Sequence, residues 1–591
     1  MCLSVSGPGH ACVFLIYFLI YEESMKKLRF VSFLCVSALA AHLFAADGVD
    51  APGNANSGST VKPATITAAD IEQLRKRIAE QEEQIKQLQK AVAAQHELLD
   101  TTLRAVEAST TATTPSGNAR LVNIGGTAVP GVAPIGGVAV PGVAPTARAA
   151  QPAMAAEPNP LQLKIGDSYL TPFGFMDLTY VGRTTNIGSG IGTNFNAAPY
   201  SNTAAGQLKD SYLAIQNSRI GARFDSIFHD TKVLAYWESD FLGNQPTNVL
   251  VTSNSQTFRL RLLFADLRKG SWELSAGQMW GLMTPNRVGV GSVTSDVFYT
   301  DTVDVNDHAG LVWDRVPGWR AIYHPTDTIA WAFGMENQQQ YVGGSSGGGS
   351  IVLPSNLSSS VAGETNSGAT SFSAPGVRPD LLSKLAFDPT SAFHTELAGV
   401  WGVEKTYNPA TSNNYSRANG GVSFNNNLTL WKGFRVIENA TYGQGIGRYF
   451  FGQGPDFVIN SDASPTNIKA AATLDGIEYT IGKTVLYAYY GSWFFGRENV
   501  WDPTAKKFVG YGYTGSANSQ ARQIEEYTAG FQQTIWKDPR YGALLFFGQY
   551  SYLRHAPWYI TGSAPSSAVS NMFFLNLRYQ LPGSAPKLEV K

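Results

Sequence analysis

The sequence predicts an all-β protein, an antiparallel transmembrane β-barrel of about 16 strands preceded by a short N-terminal α-helical coiled coil. Three observations carry that prediction. Apolar and polar residues alternate with a period of two through segment after segment. The connections between those segments alternate short and long. A secretory signal stands before them, and no later run has the roughly 18 uninterrupted apolar residues of a membrane helix. The stretch Ser218–Phe241 shows the pattern most clearly. Ile220, Ala222 and Phe224 share one face of its first run, and Arg219, Gly221, Arg223 and Asp225 the other. After the turn His229-Asp230-Thr231, Val233, Ala235, Trp237 and Phe241 share a face, with Glu238 and Asp240 opposite. In a membrane barrel the apolar face meets lipid and the charged face a wet lumen.

Length and charge narrow the class. The 591 residues exceed one ordinary domain but fit one large barrel with appendages. A net charge of -1 with only 15% charged residues excludes the basic excess of a nucleic-acid binder, so no nucleic-acid partner is expected. The 12% of aromatic residues suit the girdles of a membrane barrel.

The N-terminal region divides into four parts. Residues 1–24 read as an upstream start, with Met25 the true one. Residues 25–46 read as a signal peptide: Met25-Lys26-Lys27-Leu28-Arg29 is the basic region, Phe30 to Leu43 the apolar core, and Ala45-Ala46-Asp47 the cleavage point. The three cysteines, Cys2, Cys12 and Cys35, all precede that point, so the mature chain has no disulfide framework. Residues 67–106 open on Thr67-Ala68-Ala69-Asp70, which resembles a capping box. They then place Ile71, Ile78, Ile85, Val92, Leu99 and Val106 at intervals of seven, with Leu74 and Leu88 on the second seam. That is a coiled coil by its heptads, and its Gln-interrupted seam leaves dimer and trimer open. Residues 107–160 form a Pro/Gly/Ala-rich linker with a near-duplicate, Ala128–Pro134 and Ala139–Pro145, which suits an extended spacer.

Residues 161–582 are expected to form the barrel and residues 583–591 a C-terminal tail. Strands are expected at Gly174–Arg183, Ser218–Phe228, Lys232–Leu242, Phe258–Arg268, Trp272–Gly281, Gly318–His324, Thr328–Asn337 and Leu381–Asp388. The remaining eight are Phe393–Glu404, Gly420–Trp431, Phe434–Gly443, Thr473–Gly482, Thr484–Gly496, Ile524–Ile535, Ala543–Arg554 and Asn571–Leu581. Between them short turns such as Lys432-Gly433 alternate with long loops such as Leu282–Pro317 and Gln338–Asp380. A sandwich has no reason to gather every long loop at one end. An even barrel does, and it also puts the coiled coil on the short-turn side.

Several segments are similar to the DcaP-like family of trimeric outer-membrane porins. They are Asn217–Gly221, Leu234–Phe241, Phe258–Arg261 and Tyr442–Tyr449, within the same order of signal peptide, short coiled coil and barrel. The resemblance implies a homotrimer in outer-membrane lipid with periplasmic helices, passing small hydrophilic solutes with a leaning toward anions such as dicarboxylates. The long linker and the tail after the last strand depart from that pattern.

A pore discriminates by width and by charge at its narrowest point. The loop Leu282–Pro317 is a candidate to fold inward, and it carries Asp296, Asp301, Asp304 and Asp307. The lumen faces of the second and fourth strands carry Arg219, Arg223, Arg259 and Arg261, which hold their charge and grip carboxylates bidentately. An acidic loop against a basic wall gives a transverse field. The competing reading pairs these arginines with Glu238 and Asp240 on the strand between them. Arg320 and Arg578 are also expected to face the lumen, and Arg183 and Arg448 to sit at a rim.

No phosphate loop and no His-Glu-x-x-His occurs, so neither an enzyme nor a cofactor is expected. His308 stands near several loop aspartates, but one histidine among carboxylates is weak evidence for a metal site. The expected function is passive diffusion of small hydrophilic solutes. The alternative is a structural or adhesive anchor linking the surface to the periplasm.

Overall fold

The computed structural model describes residues 160–243, 256–337, 340–344, 349–357 and 378–582. The expected signal peptide, coiled coil and tail, and the linker up to residue 159, lie outside the described residues.

The first strands in chain order are β1 (Leu163–Ile165), β2 (Ser168–Arg183), β3 (Asp210–Ala214), β4 (Arg219–Phe228), β5 (Thr231–Asp240), β6 (Arg259–Lys269) and β7 (Trp272–Trp280). Then come β8 (Arg315–Thr326), β9 (Ile329–Glu336), β10 (Asp380–Thr390), β11 (Phe393–Asn408), β12 (Asn413–Trp431) and β13 (Phe434–Gln444). The chain continues through β14 (Phe457–Ile459), β15 (Pro465–Asn467), β16 (Lys469–Ile481), β17 (Thr484–Phe495), β18 (Glu498–Asp502) and β19 (Lys507–Tyr511). It ends on β20 (Ala521–Asp538), β21 (Gly542–Pro557) and β22 (Ala568–Gln580). Eighteen of these share one antiparallel sheet. β1 is a flap on β2, and β3 and β4 follow one another along β2, so the sheet has 16 staves. β2 closes the ring on β22, with Phe175 opposite Gln580 and Arg183 opposite Met572. β14–β15 and β18–β19 are hairpins within long loops.

Each of the 16 expected strands has its counterpart. Several strands begin a few residues before the expected start, among them β2 at Ser168, β8 at Arg315 and β16 at Lys469, and two expected loops contain strand. β3 lies inside the expected loop Thr184–Asn217, because residues 215–218 interrupt a single stave rather than precede it. The expected loop Lys405–Asn419 is mostly a hairpin: β11 and β12 pair without a break up to Asn408 and Asn413. Their alternation continues past the apolar belt, where polar residues replace apolar ones and hide the strand from a hydrophobic reading.

The period of two becomes an inside and an outside. On β2, Met176 is 65% exposed while Asp177 and Thr179 are buried in the lumen. Leu263, Leu397, Val422, Ile477 and Leu577 likewise face outward. Phe228, Trp272, Trp431 and Tyr541 ring the short-turn end, and Trp401, Tyr442 and Tyr550 stand toward the other. An apolar band between aromatic girdles is a lipid-facing surface. The short turns need left-handed residues, and Gly433 supplies φ +82° in the two-residue turn between β12 and β13.

Candidate pore constriction

The loop between β7 and β8, residues 281–314, folds into the barrel. Its apolar residues Leu282, Phe298, Ala309 and Leu311 are fully buried there. Backbone N–H groups of the loop would be orphaned in the lumen, and side chains of the far wall take them up. Asn286 N donates to Glu396 Oε1 at 3.0 Å, Asp301 N to Tyr489 Oη at 2.9 Å, Val303 N to Gln549 Oε1 at 2.5 Å, and Ala309 N to Glu526 Oε2 at 2.9 Å. The indole of Trp493 donates to Leu311 O at 3.2 Å. Arg287 forks onto both oxygens of Glu478, at 2.7 and 3.1 Å, and Arg435 of β13 shares that carboxylate. The loop is thereby stitched to β11, β16, β17, β20 and β21; toward β2, β5 and β6 it touches through Thr294, which donates to Glu238 at 3.0 Å, and Val297, and elsewhere on that side it leaves a gap.

That near wall is basic. On β5, Glu238 and Asp240 are fully buried side by side. Arg261 of β6 bridges them, with Nε 2.6 Å from Glu238 Oε1 and Nη1 2.7 Å from Asp240 Oδ2. Arg259 forks onto Asp240 at 3.0 and 2.7 Å, and Arg219 of β4 reaches Glu238 at 3.5 Å. Arg578 of β22 pairs with Asp177 at 2.8 Å. Two adjacent buried carboxylates need such charge-assisted partners. A β-bulge makes the bridge possible. Glu238 lies opposite Leu262 and Ser239 opposite Leu260, so Arg261 is the extra residue. Arg261 and Leu262 therefore both face inward, and Leu263 turns out to the lipid.

Between the loop and this wall lies a cavity of about 750 Å³. Its lining includes Arg219, Arg259, Arg261, Arg315 and Arg578, and on the loop side Tyr299, Asp304 and Asp307. Asp304 accepts from Thr193 N at 3.1 Å and Asn306 N at 2.9 Å. Asp307 accepts from Thr300 N and its hydroxyl. Burial pushes Asp307 up to about 7 and Asp304 up to about 6, although the hydrogen bonds they accept oppose it.

The remaining expected residues lie elsewhere. Arg223 forks onto Asp225 of its own strand at 2.6 and 2.7 Å. Asp296 is on the loop away from this cavity, bonded to Ser295. Asp301 is buried against the far wall near Glu478, and burial there holds its carboxyl well above the usual range. Arg320 lies beneath the loop, donating to Val290 O and Trp280 O. Arg219, Arg259 and Arg261 pair with Glu238 and Asp240 and also border the cavity, whereas Arg223 does neither. Arg183 is buried, holding Gly190 O and Gly192 O of the first long loop and Asp210 of β3. Arg448 gathers Asp380, Glu404 and Asp456. His308 is enclosed between Ala309 O and Thr528, and no group of residues suited to hold a metal occurs among the described residues.

Arg315 was not among the expected site residues. Pro317 made the strand read as beginning at Gly318, whereas β8 starts at Arg315, opposite Trp280. Its guanidinium lies over the Trp280 ring at 5.1 Å and the Trp313 ring at 5.7 Å. The only sequence signal was an arginine among aromatic residues just before a strand.

Among solved structures the chain is similar to the outer membrane channel DcaP of Acinetobacter baumannii. The identity is 16% and the TM-score 0.51, over 71% of this chain and 99% of that one. It is similar at a lower level to an anion-selective porin from Comamonas acidovorans, with 10% identity and a TM-score of 0.40 over 70% of this chain and 100% of that one. No protein-family model and no curated protein matches the chain. The fold is the one that the resemblance in the sequence implied.

Proposed function

We propose that this chain, which has the fold of a DcaP-like outer-membrane porin, is a passive channel for small hydrophilic solutes that favours anions, carboxylates among them. The observation that carries this reading is the row of guanidinium groups on the near wall, facing a gap that the inward loop leaves open. Solutes crossing that gap shed part of their water beside fixed positive charge, which lowers the barrier for anions and raises it for cations. By the resemblance in sequence, the barrel stands in the outer membrane as a homotrimer with its coiled coil in the periplasm.

The test is single-channel conductance of the purified protein in a planar bilayer under a salt gradient. Steps in threes, with a reversal potential on the anion side, are expected. Replacing Arg219, Arg259 and Arg261 together by Gln should move the reversal potential toward zero. A folded, heat-modifiable barrel that never conducts would overturn the channel reading and bring forward that of a surface anchor.

A further inference from the structure

We propose that the cavity holds a binding subsite for aromatic carboxylates, a flat ring carrying one anionic group, built by Arg315, Trp313, Tyr299 and Arg219. It rests on the anion-channel reading and narrows its solute.

Hydrogen-bond bookkeeping supplies the anionic end. Arg259, Arg261 and Arg578 are committed to carboxylates of the wall. Arg315 has neither an ion pair nor a hydrogen bond from its side chain among the described residues, and its buried Nε stands without a partner. Tyr299 Oη, Trp313 Nε1 and Arg219 Nε are buried and unpartnered as well. All four residues line this one cavity. Buried donors are costly to leave unpaired, and one carboxylate offers about four lone-pair directions. Two acceptors on the cavity also lack a partner, Asp304 Oδ2 and Asn217 Oδ1, and they suit a hydroxyl on the ring.

The rings supply the other end. Trp280 packs edge-on against Tyr299 at 5.0 Å and against Trp313 at 5.9 Å, and Trp313 meets Phe451 at 5.1 Å. Tyr299, Trp313 and Phe451 remain partly exposed to the cavity. Half-covered rings in an otherwise polar lumen offer faces that only an apolar or aromatic group covers well. The Arg315 guanidinium also lies over the Trp280 and Trp313 rings, which hold the cation beside the aromatic wall of the cavity. The cavity of about 750 Å³ is several times the ~150 Å³ that encloses a benzene ring. Such a solute is therefore held at one wall and still passes.

The test compares two probes of equal charge and similar size, benzoate and cyclohexanecarboxylate, added to single channels of the full-length protein in chloride salt. Benzoate should interrupt the chloride current in a saturable way, with a half-blocking concentration about tenfold below that of cyclohexanecarboxylate, the equivalent of 1.4 kcal/mol. Arg315→Gln should weaken the block by both probes. Trp313→Leu should remove the difference between them. Heat-modifiability on gels reports whether each variant is folded. Equal block by the two probes in the wild-type channel, or no block by either in a channel that prefers anions, overturns the subsite and leaves the anion-channel reading intact. A channel with no anion preference removes that reading first.

Discussion

Gly310, on the inward loop, lies so close to Thr473 of β16 that any Cβ at Gly310 would overlap the Thr473 carbonyl oxygen. Its φ of +92° is equally closed to other residues. Space and backbone conformation thus fix glycine where the loop touches the far wall. Gly310→Ala should cost about 1–3 kcal/mol locally and lift this part of the loop from its seat. The expected result is a larger and more scattered single-channel conductance, with the barrel still resistant to detergent. An unchanged, sharply defined conductance would show that the loop's place does not depend on this contact.

Among the described residues, Arg261 alone of the arginines is bonded to both Glu238 and Asp240. Removing it leaves Glu238, fully buried, with Arg219 at 3.5 Å as its one charged partner beside the hydroxyls of Thr294 and Tyr236, and Asp240 with Arg259 and the Leu242 N–H. Arg261→Ala should destabilise the barrel by about 3–5 kcal/mol, the cost of uncovering a buried charge. The measurement is the denaturant midpoint for loss of the folded band on a gel. Adding Glu238→Gln should restore more than half of the loss. A loss below about 1 kcal/mol would mean that water already screens the pair.

The charge of the cavity should follow pH. Asp307 lies beside Thr300, Asp304 and Glu526, and Asp304 beside Thr193, Asn306, Glu526 and Arg183. Both carboxyls are raised by burial, to about 7 and about 6. Above those values each adds a negative charge opposite the arginines. As pH falls through them the acids become neutral and the arginines do not, so anion preference should rise between about pH 8 and pH 5. Reversal potentials across that range check it. Asp307→Asn should raise the preference at pH 8 and flatten the upper part of the curve. A preference that falls on acidification would contradict the assignment.

The staves were legible because lipid on one side and water on the other force a period of two onto nearly every strand. The site was legible as far as that period holds. Arg219, Glu238, Asp240 and Arg259 were placed by it. Arg261 was assigned to the right wall, but the bulge that sets it beside Leu262 leaves no mark in the alternation. The aspartates of the inward loop could be counted but not sorted, since which of them meets the cavity depends on partners such as Glu396, Tyr489 and Gln549, far away in sequence. Arg315 escaped because a proline two residues on hid the start of its strand.

Arg287 and Glu478 are 191 positions apart and form an ion pair that joins the start of the inward loop to the far wall with two parallel hydrogen bonds. Both are largely buried, so solvent screens the pair little. Arg435 also holds Glu478, at 3.1 Å, so Glu478 is not abandoned when Arg287 is removed. The two substitutions should therefore be coupled but not catastrophic singly. A double-mutant cycle of Arg287→Met and Glu478→Gln should give an interaction of about 1–3 kcal/mol in unfolding stability. Each single variant should also increase conductance, since either one frees the same part of the loop, and the double variant should add little beyond that. Additive effects on both stability and conductance would mean that the loop is held by its backbone hydrogen bonds alone.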